Sequence, residues 1–296
     1  MTNRTNSPQS PGSRAASRGD DTYGSPRRRV RSPRLAELLH ELREPHWRVL
    51  ELLSNEPVLR TRHICALLFT AGTKLSSVRI CRRVLRELHQ QGLLHRERPV
   101  AAKSGGGSED AVWALTAAGQ RLLALGTGES PRRLRRPEER GTSGRRHLLA
   151  IADLRVALTR AARDRGVALS WQGEPACWWR FRSERGEELL KPDCYIEMAG
   201  SRRRRIAWVE LDIGTQTVSG AVQAKLRRYC RAARARRAAG DPVPRVLIVS
   251  ELPTRRERIA ELAPRFARKE GIDAATARAL FSAVDEAAAV EELVRC

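Results

Sequence analysis

The chain has 296 residues, 41% of them apolar, enough for two domains with ordinary cores. Its charge is not ordinary: 56 basic residues, 51 of them arginine, stand against 34 acidic ones and leave a net +22 at pH 7. With a pI near 11.2 the leading partner is a polyanion, nucleic acid before a membrane surface. No apolar run is long enough to span a membrane and no apolar stretch follows the basic start as in a secretory signal, so the expected location is the cytoplasm.

Residues 1–33 are rich in Ser, Pro, Gly and Arg and nearly lack large aliphatic side chains. They are expected to form a disordered basic tail. From residue 34 the pattern turns helical and compact, and a first domain is expected over 34–126. A short helix is predicted over 33–43 and a second from Pro45, with Trp47, Leu50 and Leu53 on its buried side. A third, over 61–69, presents Ile64, Leu67 and Leu68. Ser76 or Ser77 is expected to cap a fourth helix that Gly92 ends. The inner face of that helix is Cys81, Val84, Leu85 and Leu88; the outer face is Arg79, Arg82, Arg83 and Arg86.

Two short strands around a flexible, basic, Gly-rich tip follow, returning through 111–115, and then a helix over 116–125. Helices followed by a two-stranded ribbon resemble a winged helix-turn-helix, as does the phrase Val112-Trp113-Ala114-Leu115-Thr116-Ala117-Ala118-Gly119. That resemblance implies a double-stranded DNA partner, with Arg79, Arg82, Arg83 and Arg86 as base readers or phosphate clamps and Arg96, Arg98 and Lys103 on the wing. The alternative for each arginine is a merely solvated helix face.

Residues 127–146 read as a basic linker, and a second domain is expected over 147–252. A helix is predicted over 147–166, with strands over 167–172 and 175–182. A further strand is expected to carry Lys191, Asp193, Tyr195 and Glu197 on one face and Leu190, Pro192, Cys194, Ile196 and Met198 on the other. After a hairpin tip whose Arg203 and Arg204 are expected either to grip a DNA phosphate backbone close to the acids or to be no more than an exposed turn, the next strand puts Ile206, Trp208, Glu210 and Asp212 on one side and Ala207, Val209, Leu211 and Ile213 on the other. Two carboxylates on an otherwise apolar strand are costly unless something neutralises them. If the two strands are neighbours, Asp193 approaches both. A helix over 217–238 carries Val218, Val222, Leu226 and Tyr229 at helical spacing, with Lys225 beside that stripe and able to reach the acids. A short apolar run at 244–250 reads as a strand covered on both faces, and 253–296 as two or three amphipathic helices.

Lys191-Pro192-Asp193, Glu210-Leu211-Asp212-Ile213-Gly214-Thr215-Gln216 and Lys225 through Tyr229 resemble the core of the PD-(D/E)XK nuclease-like superfamily. The whole layout resembles the replication-relaxation family of actinobacterial plasmids and integrative elements. This implies an α/β plus α+β chain: a winged helix, then an αβββαβ nuclease-like domain with C-terminal helices. It also implies DNA binding in replication initiation or transfer, with other replication or transfer proteins as further partners and a homodimer by analogy. The alternative is a metal-dependent endonuclease in which Asp193, Glu210 and Asp212 hold Mg²⁺ or Mn²⁺, Lys225 orients water or balances charge, and Glu174 is a fourth acid. Active nucleases of this kind carry lysine where Asp212 stands.

Other chemistries find no pattern. The six histidines form no ligand pair and no triad with Ser and Asp; the six cysteines lack metal-ligand spacing and read as reduced structural thiols; Gly105-Gly106-Gly107 lacks the ending of a nucleotide-binding loop.

Overall fold

The computed structural model describes residues 32–97, 111–128, 141–201, 203–214 and 218–295. The expectations for residues 1–31, for the glycine tip, for Arg98 and Lys103, and for Cys296 lie outside the described residues.

The N-terminal half is built on helices α1 (Ser32–Glu41), α2 (Glu44–Asn55), α3 (Thr61–Leu68), α4 (Lys74–Gln90) and α5 (Ala117–Thr127). Strands β1 (Leu59–Arg60), β2 (Leu94–Glu97) and β3 (Val112–Leu115) form an antiparallel sheet in the order β1-β3-β2. The apolar faces read from the sequence meet in one core, where Leu50, Leu53, Ile64, Cys81, Val84, Leu85 and Leu88 are buried. The cap of α4 is Thr73 rather than Ser76 or Ser77: its hydroxyl accepts the Ser76 N–H at 3.2 Å, so the helix opens three or four residues early. Thr73→Ala is expected to cost about 1 kcal/mol in urea unfolding; an unchanged midpoint would remove the cap's importance. Thr116 plays the same part at α5, accepting the Gly119 N–H at 3.1 Å while donating to the Gly92 carbonyl at 2.7 Å. Gly119 has to be glycine, because a Cβ there would sit 2.4 Å from the Leu93 carbonyl oxygen.

The C-terminal half begins with α6 (Gly141–Asp164). This helix starts six residues before the predicted boundary, so residues 141–146 are helix rather than linker. Strands β4 (Ala168–Gly173), β5 (Trp179–Ser183), β6 (Gly186–Leu190), β7 (Cys194–Ala199) and β8 (Arg204–Leu211) follow. A π-helical turn (Val218–Val222) then leads into α7 (Gln223–Ala238). The chain ends through β9 (Arg245–Val249), α8 (Pro253–Lys269), α9 (Ala274–Leu280), β10 (Phe281–Val284) and α10 (Glu286–Val294). The result is a mixed α/β chain.

The main sheet runs β10-β9-β8-β7-β4, antiparallel from β4 to β8 and parallel from β8 to β10. β8 lies at its centre and its two faces differ as the alternation requires. Trp208 packs with Leu226 and Tyr229 of α7 and with Ile259 of α8, whereas Ala207 and Val209 pack with Leu154 and Leu158 of α6 and Leu293 of α10. Three expectations change. β5 does not join this sheet; it pairs with β6 in a separate hairpin. Residues 190–198 are not one strand, because β6 ends at Leu190 and β7 starts at Cys194; Pro192 between them has no N–H to offer a ladder. The last segment contains β10 as well as helices.

The two halves touch directly. Ala152 of α6 is part of the N-terminal core. The Glu56 carboxylate at the end of α2 accepts from Arg155 at 2.8 Å and from the Trp171 indole N–H at 2.9 Å. His63 and Arg62 of α3 reach Asp153 at 2.9 and 2.7 Å.

Candidate functional site

A cavity of about 270 Å³ opens where β8, α6 and α7 converge, and His147, Asp193, Glu210, Asp212, Lys225 and Tyr229 line it. Asp193 reaches it from the bend before β7, held against β8 twice: its N–H donates to the Val209 carbonyl at 3.0 Å and its Oδ2 accepts the Leu211 N–H at 2.7 Å. The β7–β8 register, Cys194 opposite Val209, puts Asp193 beside Glu210 on the α7 side of the sheet. Asp193 Oδ1 lies 3.1 Å from His147 Nε2 on α6.

Glu210 is buried, 6% exposed. Lys225 donates to its Oε2, and the Tyr229 hydroxyl donates to its Oε1 at 2.7 Å. Lys225 and Tyr229 are four residues apart on α7, which places both on the same helix face. Burial, then the Asp193 charge, pushes the Glu210 carboxyl up to about 7, against the pull of Lys225 and Tyr229. Burial works against the charged forms of His147 and Lys225, but the acids outweigh it: Asp193 and then Glu210 hold the His147 ring above its ordinary value, and Glu210 and Asp193 do the same for Lys225. Burial and Glu210 together keep Tyr229 un-ionised.

Asp212, one residue past β8, turns to a different partner. Arg255 of α8 grips it with two parallel hydrogen bonds of 2.7 and 2.9 Å, and the Gly214 N–H adds a third at 3.1 Å. Glu174, in the turn after β4, does not line the cavity but acts on it electrostatically: burial and then the Asp193 charge hold its carboxyl above the ordinary value, against the pull of the Trp178 hydrogen bond, His147 and Lys225.

The cationic residues proposed for DNA fall into three groups. On α4, Arg79, Arg83 and Arg86 are exposed and Arg82 is half-buried. Leu75, 80% exposed, continues the Arg79, Arg83, Arg86 stripe towards the helix start. Arg83 approaches Glu87 at 3.9 Å. On β2, the Arg96 guanidinium lies over the Trp113 ring, 5.6 Å from its centre. At the β7–β8 turn, Arg203 is exposed and Arg204 is paired with Glu197 at 2.6 Å. That turn does not approach the acidic site: it lies at the opposite end of β8 from Glu210, six residues or about 20 Å away.

A family model described as replication-relaxation matches residues 50–244. The chain belongs to the replication-relaxation family. No curated protein and no solved structure matches the chain significantly. Replication-relaxation membership carries a role in the replication or transfer of plasmids and mobile elements. The matched stretch runs from α2 to the residue before β9. It includes α4, Asp193, Glu210, Asp212, Lys225 and Tyr229, and it leaves out Arg255.

Within this replication-relaxation chain the carboxylates do not fit a divalent ion as they are arranged. Mg²⁺ and Mn²⁺ need bare oxygens, and all six carboxylate oxygens of Asp193, Glu210 and Asp212 face proton donors. Lys225 and Arg255 hold the cationic positions. Among the described residues no group of three or more His, Cys, Asp or Glu is placed to bind a metal. No helix among the described residues is long and apolar enough to cross a membrane. Among the described residues Cys65, Cys81, Cys177, Cys194 and Cys230 form no disulfide, and all but Cys65 are buried.

Sequence reasoning misses three members of the site. His147 reads only as the start of a helix, Tyr229 only as part of an apolar stripe, and Arg255 carries no sign of a role. The Lys225-Tyr229 spacing is the available signal for Tyr229, since a hydroxyl four residues from a lysine on one helix face shares its target. No local signal marks Arg255, which meets Asp212 only because β9 carries α8 back to the end of β8.

Proposed function

We propose that the chain is a DNA-binding protein of a plasmid or mobile element that acts in replication initiation or transfer, reading duplex DNA with an N-terminal winged helix. The observation that carries this reading is the α4 surface: Leu75, Arg79, Arg83 and Arg86 form one exposed stripe, while Cys81, Val84, Leu85 and Leu88 lock the opposite face into the core. A rigid helix presenting arginines outward suits the major groove, where arginine bonds guanine edges and an apolar side chain meets thymine methyls. The net charge of +22 favours encounter with DNA at long range. The nuclease-like half then serves as a companion domain whose acids are neutralised internally by Lys225, Tyr229 and Arg255.

The test is binding of the full chain to duplex fragments tiled across the DNA flanking its own gene. One fragment is expected to bind more tightly than the rest. Replacing Arg79, Arg83 and Arg86 together by alanine should remove that preference, each base contact contributing about 1–3 kcal/mol of discrimination. Residual non-specific binding should show a shallower salt dependence, by about 0.9 for each phosphate the variant no longer neutralises. Equal affinity of the triple variant and the parent for every fragment would overturn the reading.

A metal-dependent endonuclease is the second reading, favoured only by the shared position of Asp193, Glu210 and Lys225 around one cavity. It requires Asp212 to leave Arg255. Mg²⁺-dependent nicking of supercoiled DNA that disappears in both Asp193→Ala and Glu210→Ala would support it; equal nicking by the parent and both variants would mark a contaminant.

A further inference from the structure

The β5–β6 hairpin stands apart from the main sheet, and its two faces differ in chemistry. Inward, Trp179 and Phe181 stack on each other with ring centres 5.2 Å apart, and Trp179 lies 6.1 Å from Trp208 of the main sheet. Outward, at alternate positions, are Trp178, Arg180 and Arg182, all exposed, with Trp178 at 37%. Among the described residues neither Arg180 nor Arg182 has a hydrogen bond or ion pair. Glu187 is opposite Arg182 in register, yet the two form no ion pair. A fourth residue joins from the neighbouring segment: the Lys191 ammonium, on an exposed side chain, lies over the Trp178 ring at 4.5 Å. Lys191 is two residues from Asp193, and the Cys177 thiol donates to the Pro192 carbonyl at 3.1 Å, fastening the turn that bears Trp178 to the segment that bears Asp193.

Trp178 is 37% exposed and its indole N–H donates to the Glu174 carboxylate, while Lys191 covers its ring and Arg180 and Arg182 follow at alternate positions along the hairpin without ion-pair partners among the described residues. We propose that Trp178, Arg180, Arg182 and Lys191 form a second nucleic-acid surface, a stacking platform for single-stranded DNA leading to the mouth of the acidic cavity. A duplex hides its base faces within its own stack, so only an unpaired base can lie on Trp178. A base that takes the place of Lys191 over the ring leaves that ammonium free for a phosphate. Along the strand, Trp178 to Arg182 spans about 13 Å, the length of roughly two nucleotides. The choice of DNA rests on the proposed role in replication or transfer, processes in which strands separate.

The experiment measures binding of the full chain to a fluorescent dT oligonucleotide of about 20 nucleotides, to rU of the same length and to a duplex, across a salt series. Trp178→Ala is expected to weaken dT binding about tenfold, Trp178→Phe to retain most of it, and neither to change duplex affinity. Arg180→Ala with Arg182→Ala should lower the salt slope for dT by about 1.4, at ~0.7 for each phosphate. Unfolding midpoints equal to the parent's show that the variants fold. Parent-like dT binding by the folded Trp178→Ala variant would overturn the proposal, as would tighter Trp178-dependent binding of rU than of dT. Because the α4 variants are read on duplex and these on single strands, failure of one reading leaves the other standing.

Discussion

Replacing Arg155 by methionine is expected to lower the unfolding free energy by about 3 kcal/mol, the low end for a broken buried ion pair, because Arg155 remains one fifth exposed. The loss comes from what remains behind. Glu56, with a side chain only 6% exposed, keeps a single donor, the Trp171 indole N–H, and a carboxylate in that setting has no way to recover its lost hydration. Removing both charges, Glu56→Gln with Arg155→Met, should restore most of the stability, since no ion is then stranded. Burial already holds the Glu56 carboxyl above its ordinary value while Arg155 and Trp171 pull it down. A carboxyl raised in the folded state contributes stability that is complete below its unfolded value and is lost as pH rises through the folded value. Without Arg155 the folded value rises further, so the penalty of Arg155→Met should shrink on going from neutral pH to about pH 5. Urea unfolding at the two pH values measures it. A penalty that is small or independent of pH would mean that Glu56 reaches water or another cation. The pair joins α2 to α6 across the seam between the two halves, so the parent should unfold in one transition, and a second, earlier transition in the variant would locate the damage at that seam.

How far this architecture can be read in advance depends on whether the information is local. α4 declares itself because Cys81, Val84, Leu85 and Leu88 recur at helical spacing while arginines fill the other face. β8 declares itself because Trp208 and Glu210 alternate with Ala207 and Val209, and the structure places those two sets against different helices. β1 has only two residues and no periodicity; it exists because Leu59 and Arg60 pair with Trp113 and Val112. β10 follows α9 directly, Phe281 next after Leu280 with no Gly or Pro to mark the change, and parallel pairing with β9 fixes it. The hairpin of β5 and β6 is half visible: Trp179 and Phe181 read as a strand, but nothing local says that its partner is Gly186–Leu190 rather than the main sheet.

The same division applies to the acidic cavity. Asp193, Glu210 and Lys225 are legible because alternation and helical spacing point all three towards one side of the sheet. Asp212 follows the same alternation, yet its carboxylate belongs to Arg255, a partner 43 residues away in the chain. His147 reaches Asp193 from 46 residues upstream. Contacts of that range depend on how α6 and α8 pack, which pattern reading within a strand or helix does not specify. Together these distant partners convert a set of acids that resembles a metal centre into a closed network of ion pairs and hydrogen bonds.

The energetics of Glu210 give that network a second measurable signature. A carboxyl pushed from its ordinary 4.5 up to about 7 is disfavoured in its ionised form in the folded chain. Burial and the neighbouring Asp193 charge outweigh what Lys225 and Tyr229 return. The folded chain therefore holds a proton there over a range in which the unfolded chain has released it, and stability falls as pH climbs from about 4.5 through 7. Glu210→Gln imitates the protonated form, with nearly the same shape and no charge to bury. It is expected to unfold at a higher urea concentration than the parent at pH 8, by an amount reduced by what Lys225 loses with the Glu210 charge, with the advantage disappearing near pH 4.5. Thermal or urea unfolding from pH 4.5 to 8 decides the matter: a Gln variant less stable than the parent at pH 8 would show that the Lys225 and Tyr229 contacts dominate and that the carboxylate is present for the fold. The opposite result would mean that the chain carries an ionisable acid at a cost in stability.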